Sequence, residues 1–194
     1  MCWILEGKRE FEVNKSTIYR KIKKGDVFIH PTDTIYGIGC DATNPEAVQK
    51  LRAIKFRYKR PFLVIVPSKE WVKKNCEITG EAEKYIKKWP GPVTLILKLK
   101  NKKCVAKDTN YGLDTLGIRM IDHWFNDVAK ELDIPIITTS ANRTGEDFMT
   151  SLETLNPEIK SKLDFILYEG EKKGHPSTLV DLTQDKIEIK ERKK

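Results

Sequence analysis

Several things are scarce in this chain, and each scarcity closes off a class of function. The four cysteines, Cys2, Cys40, Cys76 and Cys104, stand far apart with no CxxC pair, and the three histidines, His30, His123 and His175, have no consistent spacing. Metal-ligand spacing is therefore absent, and the thiols are expected to be reduced in a cytosolic chain. No histidine has a Ser or Cys beside it in nucleophile context, so all three read as ordinary histidines. Nothing matches the G-x-x-x-x-G-K-S/T phosphate loop. The longest apolar runs, such as Phe62-Leu63-Val64-Ile65-Val66, are strand-sized. None approaches the ~20 residues that a bilayer requires, and the N-terminus lacks a signal-peptide pattern. The expectation is a cytoplasmic protein with no membrane partner. Only two glutamines occur among many Lys, Glu and Ile, a usage seen in thermophile proteins.

What is present is a chain of 194 residues, 39% apolar and 33% charged, which suits one soluble domain over residues 1–194 with a real core. Net charge is +8, from 36 basic against 28 acidic residues. That balance favours phosphate-bearing partners such as nucleotides or RNA, although a lysine-rich solvated surface is the commoner cause of it. A helix capped at Asn14 or Ser16 is predicted to run to about Lys24, with Gly25 closing it. Asn44-Pro45-Glu46 reads as an N-cap, a proline at the first helical position and an acid in the first turn. Ser68 and Thr79 are expected to cap two further helices, and Asp122 a third holding Trp124, Val128 and Leu132. Buried strands are predicted at 27–29, 62–66, 93–99, 116–120 and 134–138, with short ones at 165–167, 178–182 and 187–189. Residues 100–114 are polar and irregular, the expected mobile segment. Strands alternating with helices predict an α/β fold with a mixed sheet.

Four stretches could hold chemistry. Pro31-Thr32-Asp33-Thr34-Ile35-Tyr36-Gly37-Ile38-Gly39-Cys40-Asp41-Ala42 leaves a buried strand with hydroxyls, free amides and two glycines, which suits a polar ligand or a tight glycine packing turn. Its GxGxxA spacing is a weak dinucleotide signal, because the next helix begins only at Asn44-Pro45 and no ribose-binding acid follows about twenty residues on. Lys55 and Arg57 in extended chain would project to one side and could clamp a polyphosphate, or could simply complement a helix C-terminus. Ser140 and Asn142, two apart after an apolar strand, can face one ligand or form an Asx-capped turn. Arg119 is a charge on an otherwise apolar strand, and such an arginine is rarely buried without a carboxylate or phosphate partner.

In order, these segments resemble the YrdC-like family, the L-threonylcarbamoyladenylate synthases of tRNA modification. The matching segments are the Pro31–Gly39 stretch, Lys55-Phe56-Arg57, Pro90-Gly91-Pro92-Val93-Thr94 and Gly117-Ile118-Arg119-Met120. Ser140-Ala141-Asn142 with Thr144-Gly145, and Ser177-Thr178-Leu179-Val180-Asp181, complete the set, which spans about residues 15–190. The resemblance implies a YrdC-like α/β fold, a twisted mixed β-sheet flanked by helices with a basic concave face. It implies that ATP, L-threonine and bicarbonate give threonylcarbamoyl-AMP and pyrophosphate, with Mg2+ assisting. By the family pattern Thr32, Thr34, Arg119, Thr138 and Ser177 fall at the threonine site. Lys55, Arg57, Thr115, Ser140 and Asn142 fall at the ATP site, Lys55 and Arg57 as its catalytic cations. No protein side chain is assigned to a metal. A separate transferase is expected to place the threonylcarbamoyl group on the adenosine beside the anticodon, with only weak, salt-sensitive RNA binding by this chain.

Three departures from the family pattern stand out. Many relatives have a histidine in the strand after Lys-x-Arg, where this chain has Leu63-Val64-Ile65-Val66. The loop after Lys-x-Arg is Tyr58-Lys59-Arg60-Pro61. The late arginine, usually in an Arg-Pro-Gly context, is replaced by either Lys190 or Arg192. The chain also ends where longer relatives continue, the minimal form. Two competing readings are an RNA-binding module using the same basic concavity and a carbamoyl-adenylate-forming relative with another acceptor. Neither an RNP-like aromatic pair nor a GXXG loop supports the first.

Overall fold

The computed structural model describes residues 2–184 and 186–192. Within these residues ten strands form one mixed sheet: β1 (Trp3–Glu6), β2 (Phe28–His30), β3 (Gly37–Gly39), β4 (Leu63–Ile65), β5 (Val93–Lys98), β6 (Thr115–Arg119), β7 (Ile136–Ser140), β8 (Phe165–Tyr168), β9 (Thr178–Asp181) and β10 (Glu188–Lys190). Their order is β1-β8-β2-β3-β7-β4-β6-β5-β9-β10. Among the described residues six helices join them: α1 (Gly7–Lys23), α2 (Pro45–Lys55), α3 (Lys69–Asn75), α4 (Gly80–Lys87), α5 (Asn126–Leu132) and α6 (Pro157–Lys160). The result is a mixed α/β fold, a large twisted sheet flanked by helices.

Strand alternation divides the interior into two cores. Ile29, Val64, Ile118 and Ile137 face a large core closed by Ala47, Val48, Leu51 and Ile54 of α2, with Val72, Ala82 and Ile86. Phe28, Ile65, Ile136 and Phe165 face the other side, where Phe11, Ile18 and Ile22 of α1 meet Val128 and Leu132 of α5. This second cover is short. The strands run on past it, and by alternation Leu63, Arg119, Thr138 and Ser140 continue the same face as Ile65 and Ile136. Arg119 pairs in register with Ile65, and Leu63 with Thr138, so these side chains adjoin one another at the edge of the helical cover.

Caps at α2, α3 and α4 follow the sequence reading: the side chains of Asn44, Ser68 and Thr79 accept from the N–H groups of Ala47, Trp71 and Ala82 at 3.1, 3.0 and 3.3 Å. Two helix starts differ from it. α1 begins at Gly7, about two turns before the earlier of the two predicted caps, because β1 adds an edge strand and Phe11 reaches the core. α5 begins at Asn126 without a side-chain cap, and Asn126 Oδ1 instead accepts from Ile121 N–H at 3.0 Å. The segment expected to be mobile is anchored. Thr109, fully buried, donates to Ala42 O at 2.8 Å, and Thr109 O accepts from Phe62 N–H at 2.8 Å. Cys104, Val105 and Ala106 pack into the large core.

The two glycines of the Pro31–Gly39 stretch form β3 itself. A Cβ on Gly39 would collide with the carbonyl of Ile137, and one on Gly37 would lie 2.7 Å from the His30 ring and 2.8 Å from Thr138 Oγ1. Close approach of strands therefore demands glycine here, more than any loop conformation does. His30 is fully buried and stacked on Phe125 at 4.3 Å, and burial pushes its pKa down to about 3.

Candidate active site

Beyond the α1/α5 cover lies an open cavity of about 440 Å3. Its wall combines hydroxyls from three segments, Thr32 and Thr34, Thr138 to Ser140, and Ser177, with the guanidinium groups of Arg119 and Arg192. Leu63 forms part of its floor, over Gly117, where a Cβ would strike the Leu63 side chain. Glu146, Asp147 and Glu191 lie on the rim. Among the described residues no group of three or more His, Cys, Asp or Glu side chains could hold a metal.

Each arginine arrives differently. Arg119 comes from the end of β6 and is 4% exposed. Its Nη2 donates to Asp33 Oδ1 and its Nη1 to Thr34 Oγ1 at 3.4 Å, while its Nε has no acceptor. Arg192 folds back from the end of β10. Its Nε donates to Ser177 O at 2.9 Å and its Nη2 to Ser177 Oγ at 2.7 Å. Ser177 Oγ in turn meets Thr94 Oγ1 at 2.8 Å. Of the two late basic residues left open by the sequence, Arg192 is the one tied into the site. Lys190 lies on the exposed edge strand, although it too reaches the cavity rim. Arg57 stands just behind the wall, its Nη1 donating to Thr139 Oγ1 at 3.3 Å and its Nη2 to Pro61 O at 2.6 Å.

Arg192 links the guanidinium groups electrostatically. Burial, and then neighbouring positive charges that include Arg192, lower the Arg57 pKa to about 10. Burial and the charge of Arg119 lower that of Arg192 to about 10. Asp33 is the one carboxylate in an ion pair with any of the three among the described residues. Arg119, Lys190 and Arg192 line the cavity beside as many carboxylates, those of Glu146, Asp147 and Glu191.

Lys55 and Arg57 do not project together from extended chain as the sequence suggested. Lys55 ends α2, and Phe56 turns left-handed at φ 50°, which sends Lys55 inward. Its Nζ donates to Ser140 O, to Asn142 O at 2.7 Å and to Asn142 Oδ1 at 3.1 Å. Asn142 Oδ1 also accepts from Ser140 Oγ at 2.7 Å. Burial and the nearby Arg57 charge bring the Lys55 pKa down to about 7. Ser140 and Asn142 line the cavity; Lys55, Arg57 and Thr115 do not. Thr115 opens β6, four residues from Arg119 and opposite Lys98 of β5.

Two residues that matter to the site carried no assigned role in the sequence reading. Asp33 was legible in principle, since a buried strand arginine calls for a carboxylate and Asp33 lies between two threonines of the key stretch. Tyr36 was not: its hydroxyl donates to Gly170 O at 2.6 Å and accepts from Glu169 N–H at 2.9 Å, fastening the segment that leads to Ser177.

Comparison with known proteins places this geometry in a family. Residues 20–192 match the Sua5/YciO/YrdC family profile, described as Telomere recombination. A Methanocaldococcus jannaschii protein carrying the provisional name threonylcarbamoyl-AMP synthase is 36% identical over 174 residues, which is 87% of this chain and 80% of the relative. Sua5 of P. abyssi in complex with L-threonine is 29% identical with a TM-score of 0.84. A variant of the same protein is 31% identical with a TM-score of 0.88. Each of these two matches covers 97% of this chain, which spans 56% of the Sua5 chain.

Proposed function

The chain belongs to the Sua5/YciO/YrdC family, and from that premise we propose that it is an L-threonylcarbamoyladenylate synthase, a nucleotidyltransferase serving tRNA modification. The observation that carries the reading is one hydroxyl-lined cavity walled by Arg119 and Arg192, with Arg57 just behind the wall on Thr139. Such a site suits a substrate set made of a carboxylate, a carbamate and a triphosphate. Arg119 holds the threonine carboxylate, with Thr32, Thr34, Thr138 and Ser177 around the amino acid. Arg57 and Arg192 take the nucleotide phosphates, and the Lys55–Ser140–Asn142 cluster shapes the ATP side. Thr115 stays a candidate for the nucleotide alone, and at a distance from the cavity.

The threonine amine and bicarbonate condense to a carbamate with loss of water. A carbamate oxygen then attacks the α-phosphorus, the bond to the β-phosphate oxygen breaks, and pyrophosphate leaves. The carbamate is already an anion, so the attack needs alignment and charge neutralisation more than a strong base. Mg2+ enters as the counter-ion of the nucleotide and is part of that substrate. A separate transferase consumes the adenylate. RNA contact by this chain is weak, phosphate-driven and salt-sensitive.

The test supplies ATP and bicarbonate with each amino acid in turn and measures pyrophosphate. Threonine-dependent release with accumulation of threonylcarbamoyl-AMP is expected, and added tRNA should stay unmodified until a transferase fraction is present. Release that ignores the amino acid would sink the synthase reading. Modified adenosine made by this protein alone would sink the division of labour.

A further inference from the structure

We propose that Asp33 is a positioning residue that sets the charge selectivity of the cavity, making it prefer a zwitterionic amino acid to a simple carboxylate. The inference deepens the reading above, since it concerns how the same site recognises threonine.

Three observations carry it. First, both oxygens of Asp33 are fixed by different segments: Oδ1 accepts from Arg119 Nη2, and Oδ2 accepts from the Asp122 N–H at 3.2 Å. The pair is nearly dry, with side-chain exposures of 5% for Arg119 and 10% for Asp33, so neither charge is screened by free solvent. Second, Arg119 is held from one edge only. Its Nη1 meets Thr34 Oγ1 at 3.4 Å, the Thr34 hydroxyl is braced by Thr32 Oγ1 at 3.0 Å, and Nε has no acceptor. A planar guanidinium gripped through one N–H of each Nη keeps its orientation and retains the other N–H groups for a ligand. Third, Arg119, Thr32 and Thr34 line the cavity whereas Asp33 does not, so Asp33 acts through Arg119.

The selectivity follows from charge. A carboxylate entering the cavity must share Arg119 with a carboxylate already bound to it. A ligand that is only an anion meets that repulsion uncompensated. An amino acid brings an ammonium group on the next carbon, and the carboxylate-guanidinium-carboxylate-ammonium set is neutral. A unit charge one guanidinium away in a partly buried site is worth about tenfold or more in affinity.

The experiment titrates L-threonine and its deaminated analogue, β-hydroxybutyrate, into the full chain by calorimetry, for wild type, Asp33→Asn and Asp33→Glu. Wild type should prefer threonine by about tenfold or more. Asp33→Asn keeps the shape but not the charge, and its preference should collapse, with the analogue gaining affinity. Asp33→Glu keeps the charge and should retain the preference while binding both ligands more weakly. The proposal is overturned by a wild type without preference, by an Asp33→Asn protein that keeps the full preference, or by an Asp33→Glu protein that loses it. Pyrophosphate release separates the two ideas. Selective threonine binding without adenylate formation would end the synthase reading and leave Asp33 in place. Adenylate formation with an unchanged Asp33→Asn preference would do the reverse.

Discussion

Arg52 and Arg119 are equally hidden, at 3% and 4% exposure, yet they belong to regions built for different ends. Arg52, on α2, is saturated by backbone. Its Nε and Nη2 donate to Asp108 O, and its Nη1 to Arg57 O at 2.6 Å and Arg60 O at 3.1 Å. Its guanidinium carbon lies 4.6 Å from the Phe62 ring centre and 5.6 Å from that of Tyr111. It clamps the loop after Lys-x-Arg to the 100–114 segment and takes no part in lining the cavity. Around the cavity, Arg119 and Arg57 each keep an Nε without acceptor. Burial alone thus does not mark a functional cation. A place in the wall of a hydroxyl-lined cavity is what sets Arg119 apart.

Removing one member of each region should separate their roles. Arg57→Ala should cut turnover by roughly 100- to 1000-fold, the loss typical of one donor aimed at developing transition-state charge. Its thermal midpoint should move little. Activity within a few-fold of wild type would move Arg57 from the cavity group to the architectural one.

Arg52→Ala should do the opposite. Three carbonyls, those of Asp108, Arg57 and Arg60, lose their donor together, and the stacking on Phe62 goes with it. A stability loss of about 3 kcal/mol is expected from denaturant unfolding. Any activity loss should follow the folded fraction. A stable protein with abolished turnover would erase the contrast drawn here.

The sequence made the cavity more legible than the clamp, and the reason is chemical. Arg119 interrupts an apolar strand, so its sequence context alone demands a partner. Lys55, Ser140 and Asn142 were expected near one another, and the structure ties them together through Lys55 Nζ. Arg52 sits in an amphipathic helix, where a basic residue looks like a solvated one, and its acceptors are carbonyls that leave no mark in sequence. The same blindness hid the left-handed turn at Phe56, since no glycine or asparagine announces it. The early start of α1 was missed because β1 pairs with β8, more than 150 residues away, and that contact is invisible locally.

The comparison sharpens at Arg119 itself. Arg119→Lys keeps the charge and loses the fork, so the KM for threonine should rise by about tenfold while that for ATP changes less. Equal effects on both substrates would place Arg119 on the phosphates and make it a companion of Arg57.

Lys55 lies between the two regions: like Arg52 it is held by carbonyls, and like Arg57 it belongs to the nucleotide side. Its pH behaviour should tell which kinship matters. Burial and the Arg57 charge bring its pKa to about 7, so the cation is complete below that value and is lost as pH rises through it. If the charge serves ATP, kcat/KM for ATP should fall by about fivefold between pH 7 and pH 8, the decline in protonated fraction for one group titrating at the start of that interval. Bound triphosphate favours the ammonium, so the limb in kcat should lie at higher pH than the limb in kcat/KM. In Lys55→Ala the residual activity should lose this descending limb, because no titrating group replaces the ammonium. A flat kcat/KM profile through this range, with Lys55→Ala damaging stability alone, would instead make Lys55 a second clamp, holding the Ser140–Asn142 turn as Arg52 holds its loops.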